Sequence, residues 1–143
     1  MSRRIALVAG ALAFVAIALV VGRWLQADNV ERGKVERLLA AQARGDADAM
    51  TAEMGGCDPA CRARAERLSR RMRRAGEVEI VRYDSETAHA LGEQTGTARV
   101  VWRAGEGLPI VQCVRVRRTG SMLGGPGVRL VGLSAPIGRE ASC

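Results

Sequence analysis

The chain has 143 residues, of which 48 % are hydrophobic and only 3 % aromatic; that suits one domain around one core and excludes disorder throughout. The formal charge is +7, carried by arginine and a single lysine, Lys34, a balance that allows anionic lipid, anionic polymer or nucleic acid as partner and selects none. With Phe14, Trp24, Tyr83 and Trp102 as the only aromatics, the core must be built from Val, Leu, Ile, Met and Ala. Few rings remain to stack on bases, so no nucleic acid is expected.

Arg3 and Arg4 precede an uncharged apolar run from Ile5 to Gly22. At about 1.5 Å per residue that run spans about 27 Å as a helix, close to the ~30 Å hydrocarbon thickness of a bilayer. Arg23 and Trp24 follow it, and Trp favours the membrane–water interface. We read residues 1–27 as a retained signal anchor that spans the membrane through residues 5–22. The alternative is a cleaved signal and a secreted domain, for which Leu25-Gln26-Ala27 is a poor small-x-small site. A buried core helix is the third option, but a domain this small could hardly surround it. The charges flanking the run place the N-terminus inside and residues 28–143 outside the cytoplasm, at the cell membrane.

Beyond the run, Asp28-Asn29-Val30-Glu31 has the spacing of a capping box. Val35, Leu38, Leu39 and Ala43 then recur at helical intervals up to Arg44. Gly45 ends that helix, and Asp46 caps a short second one through Met54. Asp58 caps a third, with Pro59 in its first turn. Cys61, Ala65, Leu68, Met72 and Ala75 form its narrow apolar stripe, and Gly76 stops it. The rest of its surface carries Arg62, Arg64, Arg67, Arg70, Arg71, Arg73 and Arg74 against a lone Glu66. Arg70, Arg71, Arg73 and Arg74 are candidates for contact with anionic lipid headgroups; the alternative is a solvated face.

From Glu77 the period changes to two. Glu77 to Tyr83 reads as a strand. Asp84 to Gln94 is ambiguous: Ser85 caps a single turn, or Thr87 to Leu91 is an edge strand. Thr97 to Ala104 and Pro109 to Arg118 alternate as a hairpin about Gly105-Glu106-Gly107. Gly120 to Gly127 is a loop. Val128 to Leu133, apolar on both sides apart from Arg129, reads as a central strand.

The four cysteines, Cys57, Cys61, Cys113 and Cys143, read as disulfides in an exported domain. Of three pairings we favour Cys57–Cys61, where a turn opens into a helix, and Cys113–Cys143, which fastens a tail to a strand. C-x-x-x-C has one residue too many for a thioredoxin-type pair, and the other two cysteines are too far apart for a four-cysteine zinc site. No metal and no cofactor are expected. Asp84, Ser85 and His89 lie close in sequence, but neighbours on one loop do not make a catalytic triad; His89 reads as a surface histidine. Gln112 shares a strand face with Ile110 and Val114, and Trp102 faces inward on the neighbouring strand. Either they floor a small pocket, or Gln112 bonds to backbone at the sheet edge.

Helices followed by an antiparallel meander make an α+β pattern: an N-terminal transmembrane helix, then about three helices packed on a curved antiparallel sheet of four or so strands. Leu38-Leu39-Ala40-Ala41-Gln42-Ala43-Arg44-Gly45-Asp46-Ala47-Asp48-Ala49 resembles the junction of the first two helices in nuclear-transport-factor-2-like proteins, a cystatin-like α+β superfamily. Val81 to Cys143 resembles a group of exported actinobacterial proteins, through Arg99-Val100-Val101-Trp102 and Val111-Gln112-Cys113-Val114-Arg115. The superfamily resemblance implies a sheet curved into a cone around a pocket, and no particular activity. We therefore expect a non-catalytic, membrane-tethered module outside the cytoplasm that binds a protein partner or small ligand. The alternative is an extracytoplasmic enzyme using the cone pocket.

Overall fold

The structure, a computed structural model, describes residues 3–87, 92–120 and 127–143. Helix α1 (Arg3–Arg44) is followed by α2 (Ala47–Glu53) and α3 (Pro59–Arg71). Strands β1 (Val78–Ser85), β2 (Gly92–Ala104), β3 (Ile110–Gly120) and β4 (Gly127–Leu133) form one open antiparallel sheet in the order β1-β2-β3-β4. This is an α+β chain led by one long apolar helix.

The first helix does not begin at Asp28. It runs unbroken for 42 residues, so the boundary expected after residue 27 falls inside it, and no free N–H groups exist at Asp28 to be capped. Its two parts have different surroundings. The most apolar stretch has mean hydropathy 2.8 and none of it is buried; by length and composition it can cross a membrane. From Ala27 onward the helix packs into the domain, and Ala27, Glu31, Val35, Leu38 and Gln42 recur at spacings of three and four, all buried.

The caps of α2 and α3 form as expected. Gly45 takes φ 80° and Asp46 accepts from Ala49 N at 2.9 Å, while Asp58 accepts from Cys61 N at 2.7 Å with Pro59 behind it. Helix α3 stops at Arg71, short of Gly76, because Arg74 N donates to Ala43 O at the end of α1 and turns the chain aside. Gly76, at φ 99°, then passes so close to Gly105 that a Cβ would sit 2.7 Å from its backbone.

One sheet face packs on the helices. Val78 and Ile80, then Ala98, Val100, Trp102 and Ala104, then Val114 and Val116, then Val128, Leu130 and Leu133 join Val35, Leu38, Leu39, Met50 and Leu68 in one core. The ambiguous stretch resolves at both ends: Asp84 and Ser85 finish β1, and Gly92 to Gln94 begin β2. His89 and residues 88–91, like 121–126, lie outside the described residues.

Strand β4 is an edge, not the central strand its composition suggested. Its second apolar side has two causes. A register shift between Val116↔Leu130 and Arg115↔Gly132 brings Leu133 onto the core face along with Leu130. The free edge is also covered: Gly55 N donates to Leu130 O at 3.1 Å, and Lys34 Nζ to Val128 O at 2.7 Å.

Both disulfides form as favoured, Cys57–Cys61 and Cys113–Cys143. The second belongs to a tail that covers part of the outward sheet face. Ser134 N donates to Cys113 O and Ile137 N to Val111 O, burying Val111, and Arg99 donates to the carbonyls of Arg139 and Ala141.

Candidate functional site

Two polar constellations sit among the apolar side chains between α1 and the sheet. In the first, Glu31 is fully buried. Its Oε2 accepts from Arg118 Nε at 2.6 Å, and its Oε1 accepts from Ser85 Oγ at 2.8 Å and from the Tyr83 hydroxyl. Arg118 Nη2 also donates to Asp28 Oδ1 at 2.8 Å. The cluster joins α1 to the ends of β1 and β3. It meets the demand that a buried charge be paired and its remaining lone pairs filled.

The electrostatics follow from the packing. Burial first, and then the hydrogen bond and charge of Glu31, hold the Tyr83 phenol far above its usual range. Burial alone would lower the Arg118 guanidinium; the hydrogen bonds and charges of Glu31 and Asp28 outweigh it and hold the group raised. With three donors around it, Glu31 is an acceptor with no proton to give, and its nearest hydroxyl is a very weak acid. The cluster is suited to fastening α1 to the sheet rather than to general acid–base work.

Sequence reasoning missed this cluster, although a signal was present. Glu31 lies on the same helical stripe as Ala27, Val35 and Leu38. Arg118 continues the alternation of Gln112, Val114 and Val116, all buried. A polar residue in phase with a core stripe must be satisfied there.

The second constellation contains the pair read as a pocket floor. Trp102 and Gln112 face the helices as expected, both without exposure. Trp102 Nε1 donates to Gln112 Oε1 at 2.8 Å, and Gln112 Nε2 donates to Ser134 O at 2.8 Å. Gln42 exchanges longer amide hydrogen bonds with Gln112, at 3.2 and 3.4 Å. Their polar atoms serve one another and a backbone carbonyl; the space beside them is filled by the Gln42 side chain from α1 and not by a ligand cavity.

Open clefts occur elsewhere. A groove of about 190 Å³ runs between α2, α3 and β4, floored by Met50, Met54, Ala65 and Leu68, with Asp58 and Arg64 also lining it. A second cleft, of about 180 Å³, lies beside β2, β3 and β4 and is bordered by Glu93, Arg117, Thr119 and Arg129. The four arginines proposed for lipid contact are exposed. Arg70 and Arg71 occupy the last turn of α3, and Arg73 and Arg74 lie beyond it, against the C-terminal end of α1.

Fold and site thus define an α+β chain with an exposed apolar N-terminal helix and two disulfides. Compared with known proteins, it matches no family model, no curated protein and no solved structure.

Proposed function

We propose that this chain is a non-catalytic interaction module mounted on the outer face of a membrane, with residues 5–22 spanning the bilayer. The observation that carries the reading is α1 itself: one helix supplies both the exposed apolar stretch and the stripe at the centre of the domain's core. A domain mounted in this way has a fixed height and orientation above the bilayer. The clamp of Asp28, Glu31 and Arg118 supports the mounting by tying the helix to the sheet close to where it would leave the membrane. Two disulfides support an oxidising compartment. The saturated state of Glu31 and Gln112 supports binding over catalysis, because neither has capacity left for a substrate. The groove between α2, α3 and β4 is then the natural place for a small ligand or a segment of a partner.

Within this reading the domain is a small member of the nuclear-transport-factor-2-like superfamily, supported by the order of helices and then meander. In place of a cone pocket, its sheet face is filled by α1. The test is the intact mass of the protein from its own membranes, with and without reduction before thiol alkylation. Full length, with all four thiols protected until reduction, is expected. Loss of the apolar segment would replace the mounted module by a secreted one; free thiols in a full-length chain would put the domain in the cytoplasm and overturn the reading.

A further inference from the structure

Three arginines gather on the sheet face turned away from the helices. Arg115 and Arg117 are alternate residues of β3, and Arg129 of β4 stands directly opposite Arg117. Like charges in direct cross-strand opposition destabilise a ladder. Arg117 Nε is moreover buried without a hydrogen-bond partner. Glu93 Oε1, 3.5 Å away, gives it an ion pair but no hydrogen bond, and that carboxylate is 59 % exposed. Arg129 is held in place over Gly55, where a Cβ would meet its Cγ and Cδ at 2.6 Å. With Thr119, the two guanidinium groups border the 180 Å³ cleft. Opposed cations and an unfilled donor facing one cleft are the chemistry of an oxyanion site, and planar guanidinium groups match phosphate oxygens well.

The height of the cleft identifies the source of the phosphate. Arg118, the neighbour of Arg117, is fastened to Asp28 and Glu31, which lie about 9 and about 14 Å of helix rise beyond Gly22. The headgroup layer extends roughly 5–8 Å past the hydrocarbon, within reach of a long side chain at that level. Arg74, by contrast, is bonded to Ala43, about 32 Å beyond Gly22. A tilt of about 20° hardly shortens that distance, which exceeds the ~8 Å screening length several-fold. The lipid contact expected of α3 therefore belongs to the sheet.

We infer that Arg117 and Arg129 form a site for the phosphate group of an anionic membrane lipid, with Glu93 as the carboxylate that the phosphate displaces. The lipid as source rests on the membrane mounting proposed above; the oxyanion chemistry does not. The test uses the full chain in neutral maltoside micelles and follows the Arg117 Nε–H resonance, assigned by its loss in Arg117→Gln. Phosphatidylglycerol should move it saturably, and phosphatidylcholine or inorganic phosphate at equal concentration far less. Arg129→Gln should weaken the response on the order of tenfold, and Glu93→Gln should strengthen it. Replacing Arg70, Arg71, Arg73 and Arg74 together by Gln should leave it unchanged. A resonance that moves with neither phosphatidylglycerol nor phosphate, or responds equally in Arg129→Gln, overturns the site. An equal response to inorganic phosphate keeps the oxyanion site and removes the lipid. If cells yield a chain without residues 5–22 whose resonance still answers to phosphate, the mounting fails and the site stands.

Discussion

Glu31 and Arg118 are unequal to Asp28 in what their loss would do. The Glu31 side chain has no exposure and that of Arg118 has 8 %, whereas that of Asp28 has 53 %. Breaking a buried pair from one side strands the other charge and destabilises by about 3–5 kcal/mol, while an exposed pair contributes about 1 kcal/mol or less. Glu31→Ala should therefore lower unfolding stability by about 3 kcal/mol or more, and Asp28→Ala by no more than about 1 kcal/mol. Replacing both members, Glu31→Leu with Arg118→Met, should recover much of that loss. Denaturant midpoints of the three variants check this; equal midpoints for Glu31→Ala and Asp28→Ala would remove the clamp.

Tyr83 provides a second readout in the same cluster, because it is the only tyrosine in the chain. Its folded-state value is raised, so the native state holds the phenolic proton more tightly than the unfolded state. That contribution to stability is fully present below the ordinary value of about 10 and is lost as pH rises above it. Tyrosinate absorbance should stay absent from the folded protein past that pH and should appear together with unfolding. A reversible titration at the ordinary value in folded protein would show that the phenol does not face Glu31.

Among the elements, α1 decides the most and was the hardest to read. Both parts were legible separately, the apolar run from its lack of charge and the stripe from Val35 onward by its period. Their fusion was hidden, since Asp28 and Glu31 have the spacing of a cap and only the tertiary partner Arg118 shows what they do. The meander was legible because β2 and β3 alternate cleanly. The edge position of β4 was not, because a bulge and two covering contacts give it the composition of a central strand. The fused helix carries its own test. Proline inside a helix removes a hydrogen bond and costs about 3 kcal/mol locally. Gln26→Pro should leave both disulfides and the core intact while opening the chain at the junction, seen as rapid tryptic cleavage after Arg23 where the parent resists. Equal resistance in the variant would mean that the junction is protected by something other than helix continuity.

At the scale of the whole molecule the two disulfides act on different lengths of chain. Cys57–Cys61 closes a separation of 4 residues within the start of α3, and Cys113–Cys143 closes one of 30 between β3 and the tail. In the chain-entropy account the longer loop restrains the unfolded state by about 3.6 kcal/mol and the shorter by about 2 kcal/mol. The longer one has further consequences. It holds the tail whose carbonyls accept from Arg99 and whose Ile137 shields Val111, so its loss also opens apolar surface on the outward face of the sheet. Replacing Cys113 and Cys143 by Ser should therefore lower the melting temperature more than replacing Cys57 and Cys61. It should also speed amide exchange at Ile137 and Ser134, whose N–H groups bond to β3. The Cys57/Cys61 variant should leave those amides protected, because its bridge lies at the helical layer on the opposite side of the sheet. If both pairs of substitutions lowered the melting temperature equally and neither freed the tail amides, the tail would be held by its backbone contacts alone, and the second disulfide would act only on the unfolded chain.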